Sequence, residues 1–340
     1  MRGRRIDAIK RLMKISIVPS RPSNRWKPWA RTLAAAGAGL ALSLAACGSS
    51  KENRAAANAT AAQPATSAQP ALWELKDEDT TIYLFGTVHM LKPGMTWFDD
   101  EVKAAFDRSD ELVLEVVEPD PAKMNSIVTA LALNVNGPSI TSRLTPEEKA
   151  AYLKALSDYG LPATTMDQLD PWMVAITLSV APLEKLGYDS GIGVEKTLEK
   201  TAREQGKTVI GLETAEQQLG YFDTLPERAQ LDYLNTTVAE LPTVESEFNQ
   251  LLRNWAEGKP DALAQQMNAS LEATPELAKV LLFNRNARWT DWIAKRMEQP
   301  GTLFLAVGAG HLAGKDSVID MLGKRHFKVR RLSATEFAGG

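Results

Sequence analysis

The stretch TTIYLFGTVH, residues 80–89, decides how this chain folds. Its first six residues are β-branched, aromatic or aliphatic and read as a strand, which stops at Gly86. After a short loop an amphipathic helical pattern covers residues 98–109, and ELVLEVV, residues 111–117, reads as a second strand. Strand, helix and strand within ~38 residues predict a βαβ unit, two parallel strands joined by a crossover.

The same order returns near the C-terminus. TLFLAV (302–307) reads as a strand and is followed by Gly308, a loop, a helix over 316–322 and a strand over 327–332. Between the two units one short buried strand, KTVIGL (207–212), ends at Glu213. The remainder is helical in pattern: a helix opening at Pro146 behind the N-cap Thr145, then 172–186, 193–205, 226–240, 244–257, 261–271 and 275–297. The fold class is therefore α/β. A mixed or parallel sheet core is built from two strand-GxxH-helix-strand units, with a large helical insertion, about 137–205 plus 216–271, of the kind that caps a site.

Chemistry points to the strand ends. Only three histidines occur in 340 residues, and two sit in one setting, Gly86-Thr87-Val88-His89 and Gly308-Ala309-Gly310-His311. With 22 glycines in the chain, chance gives two such spacings only ~1% of the time. In open parallel sheets ligands bind beyond the carboxyl ends of the strands, so two adjacent units would aim both imidazoles into one crevice. Glu115 lies near the end of an otherwise apolar strand, where a charge is expensive unless paired or metal-bound. Glu213 ends the 207–212 strand. Two neutral imidazoles with a carboxylate are a ready metal site.

Other residues carry weaker signals. His326 reads as a solvent-facing loop residue, Glu118 as a solvated or supporting carboxylate, and Glu195 as an ordinary acid in a first helical turn. Arg285 lies on the long helix before the second unit. Trp73, Trp97, Trp172, Trp255, Trp289 and Trp292 read as packing residues.

The N-terminal part is of a different kind. A stretch rich in Arg and Lys precedes an Ala-rich apolar run of about 15 residues, too short to span a membrane, which wants ~20. The run ends in Leu44-Ala45-Ala46-Cys47-Gly48, a lipobox pattern. Residues 1–46 are expected to be a lipoprotein signal peptide, with Met13 an alternative start. Cys47 is expected to be the acylated anchor, residues 47–71 the lipidated cysteine and its flexible tether, and 72–340 the working domain. Gly48 after the cysteine favours the outer membrane, facing the periplasm. Cys47 is the only cysteine, so the domain needs no disulfide and has no thiol nucleophile or cysteine-based zinc site. A formal charge of −3 without a basic cluster outside the leader gives no nucleic-acid partner.

Taken together, GTVH at 86–89, the strand ending in Leu114-Glu115, GLET at 211–214, Asn284-Arg285-Asn286 and VGAGHLAG at 307–314 resemble the TraB/PrgY/GumN family. The resemblance implies an α/β fold related to erythromycin esterase, with the paired GxxH motifs and glutamates in one cluster. His89, Glu115, Glu213 and His311 take those positions. The Tiki members it includes are membrane-tethered proteases that use divalent ions such as manganese or cobalt. Members more often have Glu-Arg-Asn where this chain has Asn284-Arg285-Asn286.

The expectation is a metal-dependent hydrolase of the cell envelope, foremost a peptidase, acting on a peptide or small envelope substrate. A divalent ion (Mn, Co or Zn) held by His89, Glu115 and His311 would activate water. Glu213 would take the proton and Arg285 would stabilise the oxyanion. A metal-free site with one histidine as general base is a further option. The rival class is a non-catalytic periplasmic protein that captures a signalling peptide or haem.

Overall fold

The computed structural model describes residues 67–134, 136–271 and 275–333. The expected signal peptide, Cys47 and most of the expected tether lie outside the described residues. One six-stranded sheet organises the chain, in the order β4-β3-β5-β2-β1-β6. The strands are β1 Leu72–Lys76, β2 Thr80–Thr87, β3 Glu111–Val116, β4 Thr208–Glu213, β5 Gly301–Gly308 and β6 Val329–Arg331. The block β4-β3-β5-β2 is wholly parallel, and β1 runs antiparallel to both β2 and β6.

The hydrophobic runs explain the layers, because a parallel strand is covered on both faces and so is apolar on both. On β2, Ile82 and Leu84 face one core and Tyr83 and Phe85 the other; on β5, Leu303, Leu305 and Val307 alternate with Phe304 and Ala306 in the same way. The smaller core is closed by Trp289, Ile293 and Met297 of helix Asn284–Arg296 and by Val318 and Leu322 of helix Val318–Lys324. The larger one is closed by helix Asp100–Arg108 and the helical insertion. Phe304 stands at its centre, with ring centroids 5.6 Å from Phe85 and 5.5 Å from Phe106.

Several expectations are corrected. The parallel partner of β2 is β5, which lies between β2 and β3, so the first βαβ unit spans a gap that the second unit fills. β6 does not join β5; it pairs with β1 at the far edge. β1 itself is not foreseen by the sequence reading, although LWELK alternates as a strand should. Helix Val194–Glu204, assigned to the insertion, packs on β3 and β4 as the helix that leads into β4. Helix Pro121–Ala132 precedes the expected start of the insertion. The 275–297 helix is interrupted by a π-turn at Lys279–Phe283. The last residues assigned to the tether belong to the fold: Ala68 is buried, its N–H donates to Thr96 O at 2.8 Å, and that of Gln69 donates to Ala256 O at 2.7 Å.

Other expectations hold. Thr145 Oγ1 accepts from Glu148 N while Glu148 Oε2 accepts from Thr145 N, the reciprocal cap that starts helix Pro146–Asp158. His326 is exposed. Five of the six tryptophans read as packing residues are buried. Among the described residues no helix is long and apolar enough to cross a membrane.

Candidate functional site

Each strand of the parallel block delivers one polar residue at its carboxyl end. β4 ends in Glu213 and β3 carries Glu115; His89 follows β2, and His311 lies on the 3-10 turn Ala309–Leu312 that follows β5. Thr87 pairs in register with Gly308, so the two GxxH motifs leave the sheet side by side. A Cβ on Gly86 would come 3.0 Å from Ala309 Cα, and this close approach is what the strand-end glycine permits. The insertion closes over the same edge. Trp255 Nε1 donates to Gly86 O at 2.8 Å, and Met267 of helix Pro260–Leu271 lies against Gly310.

Arg285 occupies the middle of this edge, fully buried. Its NH2 group donates to Glu115 Oε2 at 2.7 Å and Glu213 Oε2 at 2.8 Å, and Nε donates to both Glu213 oxygens at 3.0 and 3.1 Å. NH1 donates to Leu281 O, within the π-turn, and to His311 Nε2, both at 3.1 Å. The plane lies 4.6 Å from the Trp289 ring centroid. All five guanidinium hydrogens are thus engaged inside the protein.

The imidazole of His311 is fixed by a chain of partners. Asn286 Nδ2 donates to Asp316 O at 2.8 Å, so Asn286 Oδ1 faces His311 Nδ1 at 2.6 Å and accepts its proton. Nε2 is then the lone-pair nitrogen that receives Arg285. Burial, reinforced by the Arg285 charge, pushes His311 down to about 3, and the ring is neutral. Burial acts in the opposite sense on Glu115, but Arg285, with His311, His89 and the Gly308 N–H at 2.6 Å, prevails and holds it down to about 2. Glu213 accepts additionally from Gln218 at 3.2 Å, Tyr221 at 3.0 Å and Arg288 at 3.3 Å.

His89 is differently placed. Its Nδ1 lies 2.8 Å from Oε1 of Glu195, within reach for the carboxylate to accept the Nδ1 proton. Burial lowers the His89 pKa, yet the Glu195 carboxylate outweighs it and the net shift is upward. Nε2 has no hydrogen-bond partner among the described residues, and the side chain is 14% exposed. Glu195 reaches it because Gly193, the N-cap of helix Val194–Glu204, packs directly on the His89 carbonyl oxygen, where a Cβ would overlap it. Glu118, beside this pair, is bound to Lys196 at 2.5 Å.

The structure therefore brings Glu115, Glu213, Arg285 and His311 into direct contact and sets His89 beside them with its own carboxylate. Sequence reasoning missed Glu195, Asn286 as a partner of His311, Arg288, Gln218 and Tyr221. Arg288 had a signal in its spacing, one helical turn from Arg285. Glu195 had none beyond its helix N-terminal position. Trp289, read as packing, also packs against His311, with the rings tilted and their centroids 4.4 Å apart.

The donor set does not fit a divalent ion in this arrangement. His311 Nε2, both oxygens of Glu115 and both of Glu213 already accept N–H or O–H groups, and the space among them is filled by a guanidinium. Among the described residues no group of three or more His, Cys, Asp or Glu is arranged to hold a metal ion.

The family model for TraB/PrgY/gumN matches residues 71–331. The chain is 26% identical to the protein YbaP of Escherichia coli (strain K12), over 71% of this chain and 87% of that one. It is 23% identical to a protein of Treponema pallidum (strain Nichols), covering 74% and 80%. A metalloprotease TIKI homolog of Amphimedon queenslandica is 25% identical, covering 79% of this chain and 62% of the homolog. No solved structure matches.

Proposed function

The chain belongs to the TraB/PrgY/gumN family, and from that premise we propose that it is a hydrolase of the cell envelope, foremost a peptidase, with His89 as its general base. One observation carries this reading: a largely buried imidazole, 14% exposed, whose Nδ1 is held by Glu195 and whose Nε2 has no partner among the described residues, at the carboxyl end of the parallel strands. A base needs a lone pair that no protein donor occupies, which Glu213 lacks and His89 retains.

In this scheme His89 Nε2 takes a proton from water as the water oxygen adds to the substrate carbonyl. The charged ring, stabilised by Glu195, returns that proton to the leaving group as the acyl bond breaks. Arg285 has no free donor for the oxyanion. Arg288 is 49% exposed beside Tyr221 and Glu213 and can supply one. The buried cluster of Glu115, Glu213, Arg285 and His311 forms a rigid floor beside His89. Acylated Cys47 would tether the site to the membrane, facing peptides or small envelope substrates. Cys47→Ser should release the chain from the membrane fraction.

Similarity to the Amphimedon queenslandica protein, named a metalloprotease TIKI homolog, supports peptide hydrolysis and favours a second reading in which Mn, Co or Zn sits on His89, Glu115 and His311. That reading requires Arg285 to withdraw. The saturated floor favours a third, capture of a signalling peptide or haem without turnover. Incubation of the full chain with a peptide library decides between turnover and capture. Cleavage lost in both His89→Ala and Glu195→Gln supports the proposal. Absence of cleavage, together with a haem Soret shift lost in the histidine variants, would replace it with capture.

A further inference from the structure

We propose that Arg285 is the resident cation of this site. Its guanidinium fills the position among Glu115, Glu213 and His311 that a divalent ion would take, and its removal converts the same side chains into a divalent-cation site. The inference goes beyond hydrolysis and holds whether or not the chain turns over a substrate.

Two carboxylates and a neutral imidazole converge from three strands, each below a tenth exposed, and a buried group of that charge needs a cation. Arg285 supplies it through Glu115 Oε2 at 2.7 Å, Glu213 Oε2 at 2.8 Å and His311 Nε2 at 3.1 Å. Those same three atoms are oxygen and nitrogen ligands of the type that divalent transition ions prefer. Guanidinium and ion cannot share them, because both are positive and each lone pair serves one partner.

The position of Arg285 is also built in. The π-turn at Lys279–Phe283 presents the Leu281 carbonyl to NH1, and Trp289 stacks on the plane. Glu115 and His311 are themselves held, by Gly308 N and Asn286 Oδ1. With Arg285 cut back to Ala, the carboxylates and the imidazole would stay where their other partners hold them, around a space of side-chain size with no charge in it.

The test is direct metal binding. The full-length chain, untagged and in detergent, is stripped with chelator and titrated with Co²⁺ and Mn²⁺; bound ion is read by the Co²⁺ visible spectrum, and Tm is measured with and without ion. The wild type is expected to bind no stoichiometric ion and to keep its Tm. Arg285→Ala and Arg285→Gln are expected to bind one ion per chain and to regain, with ion, Tm lost without it. Adding Glu115→Gln to either should abolish both effects. Stoichiometric binding by the wild type that disappears in Glu115→Gln would overturn the proposal. So would failure of both Arg285 variants to gain ion binding or ion-dependent folding. Hydrolysis is not read at any step, so loss of this inference leaves the role of His89 to its own experiment.

Discussion

Glu195 stands 2.8 Å from the Nδ1 atom of His89, although 106 residues separate them in the chain and neither lies on the other's element. The contact depends on one helix N-terminus docked against one strand exit. It gives the imidazole a higher pKa than its ordinary 6.5 in a place where burial alone would lower it.

The first consequence concerns pH. A general base works neutral, so activity should rise as pH climbs through the elevated His89 pKa, with its acid limb above 6.5. Glu195→Gln removes the charge that raises it, leaves burial in control, and should move that limb to lower pH. NMR titration of the His89 ring reads the same shift without substrate. An unchanged midpoint in Glu195→Gln would mean that the carboxylate does not govern the ring.

Gly193→Ala tests how the pair is assembled. The new methyl would overlap the His89 carbonyl oxygen, a backbone atom that cannot rotate away. Overpacking of this kind costs about 1–3 kcal/mol, measurable by urea unfolding, and should reduce turnover through displacement of His89. Wild-type stability and rate in this variant would show that the helix start is less tightly seated than described.

Acid should unfold the chain early. His311 falls from 6.5 unfolded to about 3 folded, a depressed value, so its contribution is complete above pH 6.5 and is lost as pH drops toward 3. Glu115, lowered from 4.5 to about 2, adds loss in the same direction below pH 4.5. The loss through His311 is on the order of a few kcal/mol, and His311→Gln should flatten the slope between pH 6.5 and 4. A parallel slope in wild type and variant would assign the acid sensitivity elsewhere.

Arg285→Ala leaves two buried carboxylates without their cation and should destabilise by ~3–5 kcal/mol in metal-free buffer. Phe304→Ala, remote from the site, should cost a similar ~3–5 kcal/mol through a core cavity. The two differ in pH response: the first cost should shrink as acid protonates the carboxylates that lost their cation, and the second should not change with pH. Equal responses would remove the electrostatic account of Arg285.

Local signals were enough for much of this protein. Apolar runs of strand length stopped by Gly86 and Gly308, and a charge set against an apolar strand at Glu115 or at its end at Glu213, are written in consecutive residues. They identify the strands of the parallel block and the polar residue at the end of each. Adjacency is not written there. Strand order depends on which apolar faces can be covered at once, and β5 slips between β2 and β3 because helix Asn284–Arg296 and the insertion cover its two faces. The partners of the site residues were equally out of reach, since Glu195, Arg288, Asn286 and Gln218 look like ordinary helical polar residues until packing turns them inward. The sequence alone determined that imidazoles and carboxylates would meet at the strand ends. Only the tertiary structure decided that a buried guanidinium would sit between them, because the charge of that space depends on side chains brought together from four separate elements.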